Sequence, residues 1–489
     1  MMKRLRPIMF VGTGSDVGKS VVNAGFCRIF KQDGYSPAPF KSQNMSLNSF
    51  ATVDELEIGR AQAVQAEACG IKCSTDMNPI LLKPTTDMNS QVVLNGKPIG
   101  NRSARDYFSK NLRGELFLEV QKAFDRLESR YSPIVMEGAG SISEINLWDK
   151  DIVNMSMASY ADAATYLIAD IDKGGVFASV YGSIQLLPEN YQKLIKGVII
   201  NKFRGDISLF DDGRKILEEL TGVPVVGVLP YFRDIVIEQE DSVVLDYKKS
   251  EDLVANDVKI AVVLLRSMSN FTDFNMLELT DGVNLVYVAS ASEISSADIV
   301  IIPGSKNTIS DLKSLRDRGL VKAIKEHYSA GKPLYGICGG YQMMGEMVYD
   351  PEAIEGTTEA MAGLGIFPIS TTIKDGKITR QCSFAMVKSG AKGTGYEIHS
   401  GETISNSPLC RFEDGTFDGY YESEKCWGSY IHGIFDNREV IEQILQQVTK
   451  KRVKVEDYAA MKERNYNLLA DRIRENIDLK YIYKTLELE

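Results

Sequence analysis

A chain of 489 residues is too long for one hydrophobic core, so about two or three domains are expected. Its 44% apolar and 25% charged residues are ordinary for a globular protein and exclude collagen-like, fibrous and low-complexity chains. With 56 Lys plus Arg against 66 Asp plus Glu, the net charge of -10 disfavours a sequence-independent grip on nucleic acid or on an anionic membrane surface.

The longest apolar runs, such as Gly197-Val198-Ile199-Ile200 and Ile299-Val300-Ile301-Ile302, fall well short of the roughly 18 residues a membrane span needs. The opening MMKRLRPIMFVG runs straight into a glycine loop and offers neither an h-region nor a cleavage site. Seven cysteines, Cys27, Cys69, Cys73, Cys338, Cys382, Cys410 and Cys426, form no paired framework. A reducing, cytoplasmic setting is expected. Cys69 and Cys73 have no second Cys or His pair at zinc-ligand spacing and read as ordinary small residues on one helix face. No fixed-period repeat is present.

In chain order, strands are predicted at 8–11, 132–136, 165–169, 197–200 and 224–229, alternating with helical patterns as in a doubly wound parallel sheet. The notable residues cluster at the strand ends, where an open α/β sheet places its ligand crevice. Behind the first strand, GTGSDVGKS (residues 12–20) has the form of a phosphate cradle. The backbone of Thr13, Gly14, Val17 and Gly18, the Lys19 ammonium and the Ser20 hydroxyl are the candidate nucleotide-binding groups, with Ser20 a candidate Mg²⁺ ligand. The strict pattern has glycine at position 13; here it stands at Gly12. That displaced form resembles the dethiobiotin synthetase branch of P-loop proteins, which activate a carboxylate with ATP.

Glu137, ending the strand PIVM, is placed to reach Mg²⁺ or its waters. Asp170 and Asp172 follow the next strand, one of them a possible helix cap, and Asn201 offers an amide that can read a nucleotide base.

KSQNMSLNSF (41–50) and NPILLKPTTDMNSQVVLNGKPIG (78–100), together with NLWDKDIVNMSMASYADA and INKFRGD, make the chain similar to the cobyric acid synthase family, glutamine-dependent amidases of the cobalamin pathway. The similarity runs over essentially the whole chain with the motifs in order. It implies that Lys41, Gln43 and Asn44 line the face where a substrate carboxylate meets the ATP γ-phosphate, with Lys83 and Asp151 as further candidates. A lysine and amides just past the second strand are suited to holding a carboxylate and a transferring phosphoryl group.

The charged stretch 238–257 is read as a linker between domains 1–237 and 258–448. In the second domain strands are predicted at 259–265, 299–302, 333–337 and about 429–432. PLYGICGGYQMMG (333–345) reads as strand, tight turn and helix, exposing Cys338 at a helix N-terminus as a nucleophile elbow does. Of the three histidines, His432 in WGSYIHGIF is the candidate base, while His327 reads as a solvated helix residue and His399 as structural or glutamine-positioning. The Cys-then-His order resembles the class I glutamine amidotransferases. Their glutamate two residues past the histidine is here Ile434, so a Cys-His dyad is expected, with the imidazole oriented by another group such as a backbone carbonyl. Gly304 and the N–H of Gly339 are the candidate oxyanion hole. The tail, 449–489, is predicted to be a packed helix pair.

The fold class expected is thus α/β, with two doubly wound, mostly parallel-sheet domains, P-loop ATPase-like then amidotransferase-like, plus a helical tail. The resemblance implies ATP, Mg²⁺ and glutamine as nitrogen donor. It also implies amidation of the four peripheral carboxylates b, d, e and g of adenosylcobyrinic acid a,c-diamide, with cobalt arriving inside the corrinoid and not bound by the protein. Cobyrinic acid a,c-diamide synthase, and a P-loop regulatory ATPase with a non-catalytic partner domain, stand as alternatives.

Overall fold

Ile8 and Phe10 point to one side of the first strand and Met9 and Val11 to the other, and all four are fully buried in two different apolar clusters. A strand covered on both faces reads as a continuous apolar run, as IMFVG does. The computed structural model describes residues 4–85, 89–238, 257–356, 358–451 and 453–488. Its first sheet comprises β1 (Ile8–Gly12), β2 (Ala38–Phe40), β3 (Ile134–Glu137), β4 (Ala164–Asp170), β5 (Ile195–Phe203) and β6 (Val225–Pro230). The order is β6-β5-β4-β1-β3-β2 with every neighbour pair parallel. Helix α1 (Lys19–Gln32) lies on one face, and α2 (Arg60–Cys69) packs beside it.

The residues 78–100 that carry the family resemblance fold into an antiparallel hairpin ladder, Ile80–Pro84, Asn89–Leu94 and Lys97–Ser103, which Gln43–Met45 joins in parallel. Asn95 and Gly96, both at positive φ (48° and 81°), make its two-residue turn.

The second sheet comprises β7 (Val258–Val263), β8 (Val283–Val288), β9 (Ile299–Ile302) and β10 (Leu334–Ile337). A long hairpin follows, β11 (Ser370–Met386) and β12 (Lys392–Thr403), and then β13 (Tyr420–Ser423) and β14 (Cys426–Ser429). The order β8-β7-β9-β10-β14-β13 is parallel except at the β13 edge. The strand expected at 429–432 lies earlier, at Cys426–Ser429, and His432 stands beyond it, fixed by backbone hydrogen bonds to Tyr396. Between β10 and the hairpin lies the short helix α3 (Gly339–Met344). Of the expected linker, 239–256 lies outside the described residues, and Glu238 is a buried partner of Arg60.

The expected helix pair is present as α4 (Tyr458–Asn476) and α5 (Leu479–Leu486), and it returns to the first sheet. Leu469, Ala470, Ile473, Ile482 and Leu486 join Phe10, Phe26 and Tyr166 in one cluster, while Tyr458 and Met461 belong to the core of the second domain. A Cβ on Gly25 of α1 would lie 2.2 Å from Ile473 Cδ1, so the helices cross in close contact. By packing, the C-terminal helices complete the first domain. Ile473→Ala is accordingly expected to destabilise the protein by about 3 kcal/mol, seen as a lower urea midpoint. A change below about 0.5 kcal/mol, as for an exposed surface site, would place the helix outside this core.

Candidate active site

At the P-loop, a Cβ on Gly12 would sit 2.8 Å from Val17 Cγ2, 2.9 Å from the Gly14 carbonyl oxygen and 3.0 Å from Lys19 Nζ. The loop therefore needs its glycine at 12, whereas Thr13 continues the strand, donating its N–H to the Ile168 carbonyl at 3.0 Å, and keeps its side chain partly in solvent. Lys19 Nζ donates to the carbonyls of Gly14 (2.8 Å) and Gly140 (3.0 Å). Asn201, expected to read a base, donates Nδ2 to the Val17 carbonyl at 2.8 Å and so braces the loop from β5.

Glu137, at the end of β3, is buried and faces this loop. Its carboxylate accepts from Ser20 Oγ at 2.8 Å, Lys41 Nζ at 2.9 Å and Gln65 Nε2 at 2.6 Å. Burial disfavours the charge, but Lys41, Gln65 and Ser20 outweigh it and hold the carboxyl below its ordinary range, hence ionised. Ser20, Lys41 and Glu137 are thereby brought together; Gln65 was missed because nothing near it in sequence marks a site.

The other predicted residues have partners of their own. Gln43 accepts from Tyr107 Oη (2.5 Å) and Arg113 Nη1 (2.9 Å), and Asn44 donates to Gln62 (3.2 Å). Asp151 accepts backbone N–H groups from Val153, Asn154 and Ser156, the work of a helix cap. Lys83 is buried, 2.6 Å from Glu57 and 3.0 Å from Ser49 Oγ. Lys377 of β11 reaches the other Glu57 oxygen at 2.6 Å, so this carboxylate is shared between the two domains. Asp170 pairs with Lys202 at 2.9 Å and Asp172 with Arg204 at 2.6 Å.

In the second domain Cys338 occupies the turn between β10 and α3 with φ 50° and ψ −109°, a strained conformation for a residue bearing a Cβ. The elbow is this tight because a Cβ on Gly340 would meet the Ile302 carbonyl oxygen at 2.0 Å. Gly304 pairs with Ser269 in a two-residue ladder and lies against the His432 ring, and Gly339 abuts Ser305, so both candidate oxyanion residues flank Cys338. His327 is buried, not solvated, with Nε2 3.0 Å from the Pro333 carbonyl. His399 stacks on Tyr430 with centroids 3.7 Å apart. It borders a cleft of about 550 Å³ that is also lined by Tyr341, Arg380, Glu397 and Asp418.

His432 is oriented by a carboxylate and not by the expected backbone carbonyl. Its Nδ1 lies 2.7 Å from Asp273 Oδ2, while Asp273 Oδ1 accepts the Gly433 N–H at 2.9 Å. The Cys338 thiol itself donates to the Ile398 carbonyl at 3.8 Å. Burial alone lowers the imidazole pKa, but Asp273 and the Cys338 sulfur more than offset it and push it up to about 10. Asp273 was invisible in sequence because it precedes His432 by 159 residues, outside any local motif.

Two family models match, the CobQ/CobB/MinD/ParA nucleotide binding domain over residues 8–243 and the CobB/CobQ-like glutamine amidotransferase domain over 259–440. A cobyric acid synthase of Parabacteroides distasonis is 58% identical with both chains covered in full. Those of Phocaeicola vulgatus and Bacteroides fragilis are each 55% identical, with 99% of both chains covered. The chain belongs to the cobyric acid synthase family. In this cobyric acid synthase homologue the P-loop cluster and the Cys338 elbow thus fall in the matched nucleotide-binding and amidotransferase regions respectively.

The loop geometry makes a direct prediction. Gly12→Ala is expected to weaken Mg·ATP binding at least about tenfold by displacing Lys19, while Thr13→Gly, which restores the strict pattern, leaves affinity within a few-fold. Equal affinities for the two variants in a nucleotide-binding titration would refute this account of the displaced glycine.

Proposed function

We propose that this protein is an ATP- and glutamine-dependent ligase that amidates the b, d, e and g carboxylates of adenosylcobyrinic acid a,c-diamide to give adenosylcobyric acid. The observation that carries the reading is one chain, family-matched along its full length, holding both a Lys41–Glu137 pair against a P-loop and a Cys338–His432 pair backed by Asp273.

In the synthetase half, Lys19 and the loop amides hold the phosphates, and Lys41 neutralises the carboxylate that attacks the γ-phosphate to form an acyl phosphate. Ser20 Oγ and Glu137 present hard oxygen donors 2.8 Å apart beside the loop, a fit for Mg²⁺. When bound there the ion supplies charge neutralisation on the phosphates. Gln43 and Asn44 border the same segment, and the amide of Asn201 fixes the loop.

In the amidotransferase half, Cys338 Sγ adds to the side-chain amide carbon of glutamine. The N–H of Gly339 and the backbone at Gly304 stabilise the oxyanion, and the imidazolium of His432 gives its proton to the departing nitrogen. Ammonia leaves a γ-glutamyl thioester, which water cleaves to glutamate. The ammonia displaces phosphate from the acyl phosphate to form the amide. Glutamine, with a charge of each sign at its α-carbon, matches the Arg380 and Glu397 groups of the neighbouring cleft.

Incubating the protein with adenosylcobyrinic acid a,c-diamide, glutamine and Mg·ATP is expected to give four successive acid-to-amide mass changes in the corrinoid. An unchanged diamide, with cobyrinic acid converted to its diamide instead, would favour the a,c-diamide synthase alternative. Cys338→Ala is expected to abolish amidation from glutamine while retaining it from ammonium salts. Unchanged behaviour of this variant with glutamine would support the regulatory ATPase with a non-catalytic partner domain.

A further inference from the structure

We propose that the segment Met268–Phe274 makes glutamine hydrolysis answer to the state of the synthetase half, with Asp273 as the positioning residue for His432. The proposal rests on the two-site ligase reading above. Seven consecutive residues touch three parts of the machinery at once. Met268 and Ser269 pair antiparallel with Ser305 and Gly304, the strand that carries one candidate oxyanion residue. Asn270 and Phe271 meet the synthetase half in a reciprocal clamp: Asn270 Oδ1 accepts the Ser49 N–H at 2.9 Å, and the Phe271 N–H donates to Asn48 Oδ1 at 3.0 Å. The turn then closes, with the Asp273 N–H on the Asn270 carbonyl at 3.0 Å, and Asp273 holds His432 Nδ1 at 2.7 Å.

The synthetase partners of the clamp sit on the chain segment that leads away from the P-loop cluster. Asn48 and Ser49 lie on the segment that begins with Lys41, whose ammonium pairs with Glu137 at the P-loop. Ser49 Oγ also accepts from Lys83, the partner of Glu57. A carboxylate or nucleotide that shifts the segment running from Lys41 to Ser49 therefore changes the seat of Asn270 and Phe271, one turn away from Asp273. The side chains of Asn48, Asn270 and Asp273 are all buried, so each hydrogen bond in the chain lacks a water to replace it. Asn270 adopts φ 52°, which asparagine and glycine tolerate best, and this turn presents its side chain to Ser49. Coupling of this kind amounts to a docked and a released arrangement of the segment, biased by synthetase ligands. The titratable groups facing the imidazole are Asp273, Cys338 and the stacked Tyr396, with Asp436 beyond Gly433.

The test uses the full-length enzyme and measures glutamate release with and without Mg·ATP plus adenosylcobyrinic acid a,c-diamide. Ammonia-dependent amidation in the same preparations serves as the check that each variant is folded. Wild type is expected to hydrolyse glutamine at least about tenfold faster with the synthetase ligands present. Asp273→Asn is expected to lower kcat for glutamine at least about 100-fold with KM within a few-fold, and to keep amidation from ammonia. Its residual activity should lose its alkaline limb at lower pH, because an imidazolium without the carboxylate gives up its proton more readily; a purely structural loss would leave the limb in place. Asn270→Gly, which keeps the turn but removes the Ser49 acceptor, is expected to retain unstimulated hydrolysis and ammonia use while losing most of the stimulation. Hydrolysis by Asp273→Asn within threefold of wild type overturns the positioning assignment. Full stimulation in Asn270→Gly, or none in wild type, overturns the coupling. A wild-type enzyme that amidates no corrinoid even from ammonia overturns the ligase reading instead. The Asp273→Asn comparison, which needs glutamine alone, still decides the role of that residue.

Discussion

Glu57 is a fully buried carboxylate with one oxygen on Lys83 of the synthetase half and the other on Lys377 of the amidotransferase half. A charge taken out of water at this depth is costly unless its partners are in place, and here the partners come from both halves, so the two domains have to dock in one register. Burial works against the ionised form, but the two ammonium groups overcome it and hold the carboxyl far below its ordinary range. The same register seats Tyr396 on Phe50, with ring centroids 4.7 Å apart, and sets Gln381 on the Ala51 carbonyl at 2.9 Å. It also brings Asn48 and Ser49 to the turn that carries Asp273.

Within each half, a parallel sheet gathers the chemistry at the C-terminal ends of its strands, the crevice side of an open α/β sheet. Gly12 and Glu137 end β1 and β3, and Cys338 follows β10. The physical devices differ. The synthetase half concentrates charge, setting Lys41 against Glu137 beside the P-loop. The amidotransferase half stores backbone strain at Cys338 and keeps its ion pair, His432 with Asp273, out of water.

The C-terminal helices add a constraint that a linear division of the chain hides. Arg28 of α1 donates to Asn467 at 2.8 Å, and Tyr166 Oη meets Thr485 at 2.6 Å, so the end of the chain closes the layer over its beginning. The first turn of α4 packs in the core of the second domain on the way. The first domain is therefore complete only after the second has been traversed.

Features that follow from short-range pattern were legible in the residues themselves. The apolar runs of the central strands, the glycine loop ending in Lys19 and Ser20, the Cys338 elbow and the helix pair each depend on neighbours within about a dozen positions, where periodicity and turn chemistry act. The observed strands β1, β3, β4, β5 and β6 lie within a few residues of their expected places for that reason. What tertiary structure decided was which charges meet. Asp273 reads as one acid among 66 acidic residues until folding sets it on His432, and nothing in the spacing of Asp151 or Lys83 announces the three backbone amides or the Glu57 carboxylate that they meet. Partners in a buried ion pair are chosen by spatial proximity and the exclusion of water, and neither is encoded in the spacing of residues along the chain.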